Sequence, residues 1–179
     1  TNTGGNLTSA GSNSHALIAQ SIGGGGGRVA TVTGNVTMGA SGSGLMGGGA
    51  VTLSNSADIS TSGTNAMAMV AQSIGGGGGA AMTSEGKAVL MGGSALGNAS
   101  GGAVTVTNSG NLSTQQENSS ALMIQSVGGG GGIAAKSAGD LSRLGATAGE
   151  QSGGGTVNIT NRGAIQTLGY GSAGLVVQS

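Results

Sequence analysis

The sequence predicts an all-β fold: a β-solenoid, specifically a right-handed parallel β-helix with glycine-rich insertions between its coils. Three observations predict it. A motif of glutamine, serine and five glycines returns at a nearly constant interval, and the residues before each copy alternate between apolar and polar. The composition is rich in glycine and aliphatic residues and poor in aromatic and charged ones. A stacked architecture accounts for all three, because each repeat buries its inner face only against its neighbours.

The composition excludes several classes of function. The 179 residues include 43 glycines, one aromatic residue (Tyr170) and no proline or cysteine, and only 6% are charged. Ordinary soluble domains are about 25% charged. A net charge of zero argues against nucleic-acid binding, no apolar run is long enough to span a membrane, and the absence of cysteine excludes disulfides and thiolate metal sites. The core must be thin and built from aliphatic side chains.

The repeat is defined by the glutamine of the motif, which recurs at intervals of 52, 53 and 53 residues. The anchors are Gln20, Gln72, Gln125 and Gln178. They divide residues 1–179 into one repetitive solenoid segment with units at about 1–49, 50–102, 103–155 and 156–179. The first unit lacks its leading V-x-V half, so we expect the chain to be a fragment of a longer protein.

Two strands and a corner open each unit. From Val51 to Thr61 apolar residues occupy alternate positions, except for Asn55 and the closing Thr61, and the residues between them are polar. This period of two is that of a strand with one buried face. The asparagines at Asn55, Asn108 and Asn161 mark a corner between the strands, because asparagine bonds its own backbone and tolerates left-handed dihedrals. In the first unit Thr3 aligns with them, and its neighbour Asn2 is the alternative, shifted by one residue.

The third strand of each unit ends in the glutamine motif and differs from the first two. Large apolar residues occupy both of its faces, as in Leu17 with Ile18 and Met69 with Val70. A strand that is apolar on both faces is usually covered on both. One face therefore points into the core, and the segment after the glycines is the candidate cover for the other.

The glutamine motif and its glycines are interpreted as a structural seam. Five internal glycines destabilise regular structure by several kcal/mol at about 0.5–1 kcal/mol each, so we predict a steric reason: without Cβ atoms the backbones can approach closely. The three runs are expected to lie in register along one edge, hydrogen-bonded by backbone alone. The glutamine and serine are expected to form ladders or bonds to glycine backbone; the alternative is that they merely end a strand. The seam residues are Gln20, Ser21, Gly23, Gly27, Gln72, Ser73, Gly75, Gly79, Gln125, Ser126, Gly128, Gly132 and Gln178.

The inserts that follow the glycines are 22 or 23 residues long and poorly alike, and they carry seven of the ten charged residues. Two interpretations stay open. Each insert forms an irregular extra coil, or it is a loop or hairpin folded over the third strand, which we favour. The third insert, with the sequence AAKSAGDLSRL, is also compatible with a helical turn.

The sequence shows no group of residues with the types and spacing of a catalytic, nucleotide-binding or metal site. His15 is the only histidine, and its counterparts Met67, Ser120 and Ala173 indicate an exposed or rim position. The acids are scattered, without the pair that a glycosidase needs. No lysine ends the glycine runs as in a P-loop, and no aspartates punctuate them as in calcium-binding repeats. We therefore predict no catalytic, cofactor-binding or metal site, and no enzyme.

The sequence VTVTNSGNLST followed by ALMIQSVGGGGG resembles the repeats of large autotransporter passenger domains of Gram-negative bacteria. The resemblance covers the four repeat cores and not the inserts. It implies an extracellular or surface-exposed β-helical adhesin, exported by an outer-membrane barrel that lies outside this segment. Its expected partners are a host or cell-surface ligand or other copies of itself, with no nucleic acid and no membrane insertion by this segment. A self-assembling fibre and, less favoured, an ice-binding solenoid are the alternatives.

Overall fold

The computed structural model describes residues 1–29, 36–38, 47–76, 78–81, 88–91, 99–129, 131–134, 141–144 and 152–179. All regular secondary structure in these ranges is β-strand, as the period of two predicts. Within the same ranges, no helix has the length and hydropathy needed to cross a bilayer.

Within the described residues, each unit core contributes up to three strands and each insert contributes two. The unit cores hold β1 (Leu7–Ser9), β2 (Leu17–Ile22), β5 (Val51–Asn55), β6 (Ile59–Thr61), β7 (Met69–Ile74), β10 (Val104–Asn108), β11 (Leu112–Thr114), β12 (Leu122–Val127), β15 (Val157–Asn161), β16 (Ile165–Thr167) and β17 (Leu175–Gln178). The inserts hold β3 (Gly26–Val29), β4 (Val36–Met38), β8 (Gly78–Ala81), β9 (Ala88–Met91), β13 (Gly131–Ala134) and β14 (Leu141–Leu144).

Every strand pairs in parallel with its own counterpart one unit away, so the four units lie on top of one another. The first sheet has the order β15-β10-β5, the second β1-β6-β11-β16 and the third β17-β12-β7-β2. The register equals the sequence period: Leu112, for example, pairs with Ile59 on one side and Ile165 on the other. The predicted all-β class and parallel strands are confirmed, and the strands predicted in the unit cores overlap the observed ones.

The first corner contains the predicted asparagine. In the first unit, where Thr3 and Asn2 were the alternatives, the corner residue is Asn2. Asn2 forms an isolated parallel bridge with Asn55, so Asn2, and not Thr3, occupies the corner. The segment from Asn2 to Leu7 is then one residue longer than its counterpart from Asn55 to Ile59. Gly5, with φ of 77°, lies within the longer segment, and we attribute the accommodation of the extra residue to this left-handed glycine.

A second corner, between the second and third strands, has a left-handed residue that the sequence reasoning did not single out. Asn13, Asn65 and Asn118 have φ of 60°, 55° and 55°, and Gly171 takes the same place with φ of 69°. Asparagine and glycine are the residues that tolerate this region best. Their constant offset from the anchoring glutamine was the signal that would have located the turn.

The core is a single column of inward side chains from all three sheets. Leu112, Leu122 and Ile124 are at most 1% exposed, and smaller residues such as Ala71 pack between them. Burying each such large side chain contributes about 1.5–3 kcal/mol. The stack of units, rather than any single unit, therefore supplies the stability.

The third sheet also buries residues on its outward face. Met67 and Val70 form a second apolar cluster with Ile18 and Met123, and Ile74 on the same face is fully buried. The expectation that this face is covered is therefore correct. The insert strand β13 lies close to β7 and β12, which places at least part of an insert beside the third sheet.

The inserts stack on one another as the unit cores do. Their strands form a fourth sheet, β13-β8-β3, and a fifth, β14-β9-β4, both parallel. A hairpin would instead pair two strands of the same insert antiparallel, and the described insert strands do not do so. The possible helical turn of the third insert is a strand at Leu141–Leu144, and its residues 135–140 lie outside the described part of the chain.

Candidate functional site

A ladder of glutamine side chains runs through all four units along the outward face of the third sheet. The side-chain amide of Gln20 donates to Oε1 of Gln72. Gln72 donates in the same way to Gln125 at 2.6 Å, and Gln125 to Gln178 at 2.8 Å. Every donor faces the following unit, so the amide dipoles point the same way along the stack.

The interior glutamines of this ladder are buried, so their amides need hydrogen-bond partners within the protein. Gln72 is 0% exposed and Gln125 is 5% exposed. A buried amide without partners destabilises a fold by about 1–3 kcal/mol. Parallel stacking removes that penalty for interior units, because each amide both donates to and accepts from an identical neighbour.

The serine after each glutamine points to the opposite face. In the second and third units it links the third strand to the glycines that precede the first strands of its own unit and of the next one. Ser73 Oγ donates to the carbonyl of Gly49 at 2.8 Å and accepts from the N–H of Gly102 at 2.8 Å. Ser126 Oγ repeats this between the carbonyl of Gly102, at 2.7 Å, and the N–H of Gly155, at 2.6 Å.

The bonds join end to end into one alternating chain of serines and glycines. At its two ends, the N–H of Gly49 donates to Ser21 Oγ at 2.8 Å, and Ser179 Oγ donates to the carbonyl of Gly155 at 2.9 Å. The complete chain runs through Ser21, Gly49, Ser73, Gly102, Ser126, Gly155 and Ser179.

The glycines that end each insert are therefore part of the site, although the sequence analysis did not assign them to it. A Cβ on Gly102 would lie 2.5 Å from the carbonyl oxygen of Gly48 and 2.6 Å from the backbone of Gly49. A Cβ on Gly155 would lie 2.6 Å from Gly102. The signal that could have found them is the glycine pair or triplet that precedes every first strand.

The five-glycine runs divide into parts with different roles. The N–H of Gly23 donates to the carbonyl of Ile74, and the N–H of Gly75 donates to that of Val127, both at 2.8 Å. The second glycines, Gly24, Gly76 and Gly129, have φ of 73°, 72° and 71°.

The last two glycines of each run begin an insert strand and pair with one another across the units. Gly26 pairs with Gly78 and Gly78 with Gly131, and Gly27, Gly79 and Gly132 pair in the same way. At the start of the third run, a Cβ on Gly128 would lie 2.5 Å from the carbonyl oxygen of Gly153. The second and third runs thus combine a close backbone contact, a left-handed turn and the start of a strand, and the first run shares the turn and the strand start.

A second amide ladder lies inside the first corner. Asn2 donates to Asn55, Asn55 to Asn108 and Asn108 to Asn161, each at 2.7 Å. The second amide hydrogen closes the corner, since Asn55 Nδ2 also donates to the carbonyl of Ala57 at 2.7 Å. The Asn108 and Asn161 amides make the same local bond.

The single histidine and Asp58 act as acceptors between units. His15 Nδ1 accepts the N–H of Met67 at 3.0 Å, and its counterpart Ser120 accepts that of Ala173 at 3.2 Å. Asp58 Oδ1 accepts the N–H of Asn111 at 2.7 Å. Each therefore bonds to the unit that follows its own.

Within the described ranges, no three His, Cys, Asp or Glu side chains gather as a metal site would require. Comparison with protein-family models, with curated proteins and with solved structures returned no match. The chemistry that the geometry supports is the joining of units: two amide ladders and one serine–glycine chain, all running along the stack.

Proposed function

We propose that this chain is a structural rod: a segment of right-handed parallel β-helix from the surface-exposed or secreted passenger of an autotransporter-type adhesin of Gram-negative bacteria. The observation that carries the proposal is the continuity of the amide ladders through all four units. Such ladders resist bending and sliding between units, as a protein that holds a binding surface away from a cell requires.

The family resemblance of the repeat cores supports export to the cell surface. The lack of cysteine and the very low charge agree with it. A stack in which every unit pairs only with its neighbours also suits passage of an unfolded chain, because folding can begin at any point and spread along the axis.

The alternative of ice binding is less favoured. An ice-binding face would need aligned, exposed threonines, and the aligned Thr61 and Thr114 are both 0% exposed. Thr61 Oγ1 is further engaged, since it donates to the carbonyl of Ala66 at 2.6 Å. These hydroxyls cannot meet an ice surface.

Surface display tests the proposal. The segment is placed between a signal peptide and an outer-membrane autotransporter barrel in a Gram-negative host that does not adhere. We expect external protease to cleave the segment on intact cells, and we expect the cells to attach to an epithelial layer or to each other. A segment that remains in the periplasm, or one displayed without any gain in attachment over the barrel alone, contradicts the proposal.

Electron microscopy of the purified segment separates the rod from the self-assembling fibre. We expect single short rods at low protein concentration. Long fibres under these conditions support the matrix-protein alternative.

A further inference from the structure

The first two units meet through the only imidazole of the chain. The Nδ1 atom of His15 accepts the backbone N–H of Met67 at 3.0 Å, and the carbonyl of Met67 accepts the N–H of Ala16 at 3.1 Å. Both backbone polar groups of Met67 are therefore held by adjacent residues of the first unit. His15 is half-buried, and Met67 is 4% exposed and belongs to the apolar cluster on the outward face of the third sheet.

The same pair of bonds recurs between the third and fourth units with a different acceptor. Ser120 Oγ accepts the N–H of Ala173 at 3.2 Å, and the carbonyl of Ala173 accepts the N–H of Ala121 at 3.0 Å. Between the second and third units the corresponding side chain is Met67, which has no nitrogen or oxygen to accept with. The three junctions thus carry an imidazole, a thioether and a hydroxyl at one position, and only the imidazole changes its charge between about pH 5 and 8.

The bond to His15 depends on the protonation state of the ring. Nδ1 accepts a hydrogen bond only while it is unprotonated, so the contact requires the neutral imidazole with its hydrogen on Nε2. In the imidazolium both ring nitrogens carry hydrogen, and Nδ1–H would point at the N–H of Met67. Turning the ring over does not restore the bond, because it places carbon Cδ2 against the same N–H. Protonation therefore removes the acceptor from a buried backbone donor, which is unfavourable.

The turns that meet at His15 supply no carboxylate to stabilise its positive charge. Its own turn, residues 10–16, and the facing turn of the second unit, residues 62–68, contain no Asp, Glu, Lys or Arg. In the corresponding turns of the third and fourth units the titratable side chains are Glu117 and Tyr170, and both are exposed. Among the described turns of this corner, the two that hold the bond therefore favour the neutral ring.

We propose that His15 is an acid-sensitive contact between the first two units, which holds the second corner of the stack closed at neutral pH and releases it when the imidazole is protonated. The other two junctions have no titrating acceptor at this position and keep their contacts. The inference stands independently of the proposed attachment function.

The direction of the pH dependence follows from the bond. Because only the neutral ring accepts from Met67, we expect the pKa of His15 in the folded state to lie below its ordinary value of about 6.5. The unfolded state then binds the proton more tightly than the folded state does. The stability that the bond contributes is fully present above about pH 6.5 and is lost as the pH falls below that value through the folded-state pKa.

Two measurements on the purified segment test the inference. NMR titration of the His15 ring gives its pKa, which we expect below about 6.5. Hydrogen exchange at about pH 7.5 and about pH 5, corrected for the intrinsic exchange rate, reports on the Met67 amide directly. We expect its protection to fall at least about fivefold on acidification.

Two equivalent amides show whether the effect is confined to one junction. Leu17 donates to the carbonyl of Ala68 across the first junction, and Met69 donates to that of Ala121 across the second. We expect Leu17 to lose protection together with the first junction, whereas Met69 should change by less than about twofold. Equal changes at the two amides, whether large or small, contradict an acid-sensitive contact at one junction.

The matched control is H15S, because Ser120 already serves as the acceptor at this position and does not titrate in this range. We expect the Met67 amide to be equally protected at both pH values in H15S, within about twofold, and poorly protected at both in H15A. A His15 pKa at or above about 6.5, or wild-type protection of Met67 that does not change with pH, overturns the inference. So does an H15S protein as pH-dependent as wild type, or an H15A protein as well protected at neutral pH.

Discussion

The side-chain amide of Gln72 donates to Gln125 at 2.6 Å across 53 residues of sequence. The distance along the chain equals the repeat period, so a single hydrogen bond reports that two whole units are in register. The same relationship recurs for asparagines and, through glycine backbone, for serines. Each gives a prediction in which an interior residue and a terminal one of the same type are compared.

Removing an interior amide of the glutamine ladder should destabilise the whole stack. In Q72A the Gln20 amide loses its acceptor and Gln125 loses its donor, and a buried cavity replaces the side chain. We expect the free energy of unfolding to fall by about 3 kcal/mol, measured by urea denaturation. Gln178 is exposed and ends the ladder, so Q178A should lower it by less than about 1 kcal/mol. Equal effects of the two variants would show that the ladder does not contribute as described.

The serine–glycine chain should be sensitive to loss of one hydroxyl. Ser73 is fully buried and bonded on both sides, so S73A leaves the carbonyl of Gly49 and the N–H of Gly102 without that partner. We expect a loss of about 2 kcal/mol in unfolding free energy. The exposed Ser179 makes one such bond, and S179A should cost at most about 1 kcal/mol. Protection of the Gly102 amide from hydrogen exchange should fall in S73A and stay unchanged in S179A.

The glycine that precedes the first strand should not tolerate a methyl group. In G102A the Cβ would lie 2.5 Å from the carbonyl oxygen of Gly48, so neighbouring units must separate locally. We expect a destabilisation of at least about 2 kcal/mol, the size of an overpacked core site. A Cβ on Gly153 would meet nothing within 4 Å, and G153A should leave the melting temperature nearly unchanged. A G102A protein as stable as G153A would contradict the close packing.

An aspartate in the asparagine ladder should make stability depend on pH. Asn55 is 3% exposed, and its Nδ2 donates to Asn108 Oδ1 and to the carbonyl of Ala57. In N55D a carboxylate oxygen faces these two acceptors, so burial and repulsion raise the pKa of the new carboxyl above its ordinary value of about 3.9. The folded state then holds the proton more tightly than the unfolded state does.

It follows that the destabilisation of N55D is largest at neutral pH, where we expect about 2–4 kcal/mol. It should shrink as the pH falls through the folded-state pKa, because the protonated carboxyl can donate again. Urea denaturation at about pH 7 and about pH 4 measures this. N161D, at the exposed end of the ladder, should show a much smaller dependence; a similar pH dependence in both variants would contradict the role of burial.

The periodicity of the sequence located most of the strands and showed which of their side chains point into the core. The alternation from Val51 to Thr61 identified the buried residues, and the offset from the anchoring glutamine gave the register in which Ile59, Leu112 and Ile165 pair. These features are local or strictly repeated, so a single chain displays them several times. The equal spacing of the glutamines suggested a ladder or bonds to glycine backbone, with a simple strand end as the alternative.

Only the tertiary structure showed which backbone groups and strands these repeated residues meet. Gly102 is distant in sequence from both Ser73 and Gly155, and nothing in their spacing indicates that a hydroxyl would connect neighbouring units through this glycine. The parallel pairing of the inserts was also not evident, because Ala80 and Ile133 pair although the inserts around them share little sequence.

The sequence by itself determined the repeat, the strand periodicity and the residues available for stacking, because these follow from side-chain chemistry at fixed intervals. Tertiary structure decided which backbone groups those side chains meet and which face remains open. Asp58 and Ser60, for example, line a groove together with residues of the first and third units, and they do so only because the three units lie in register.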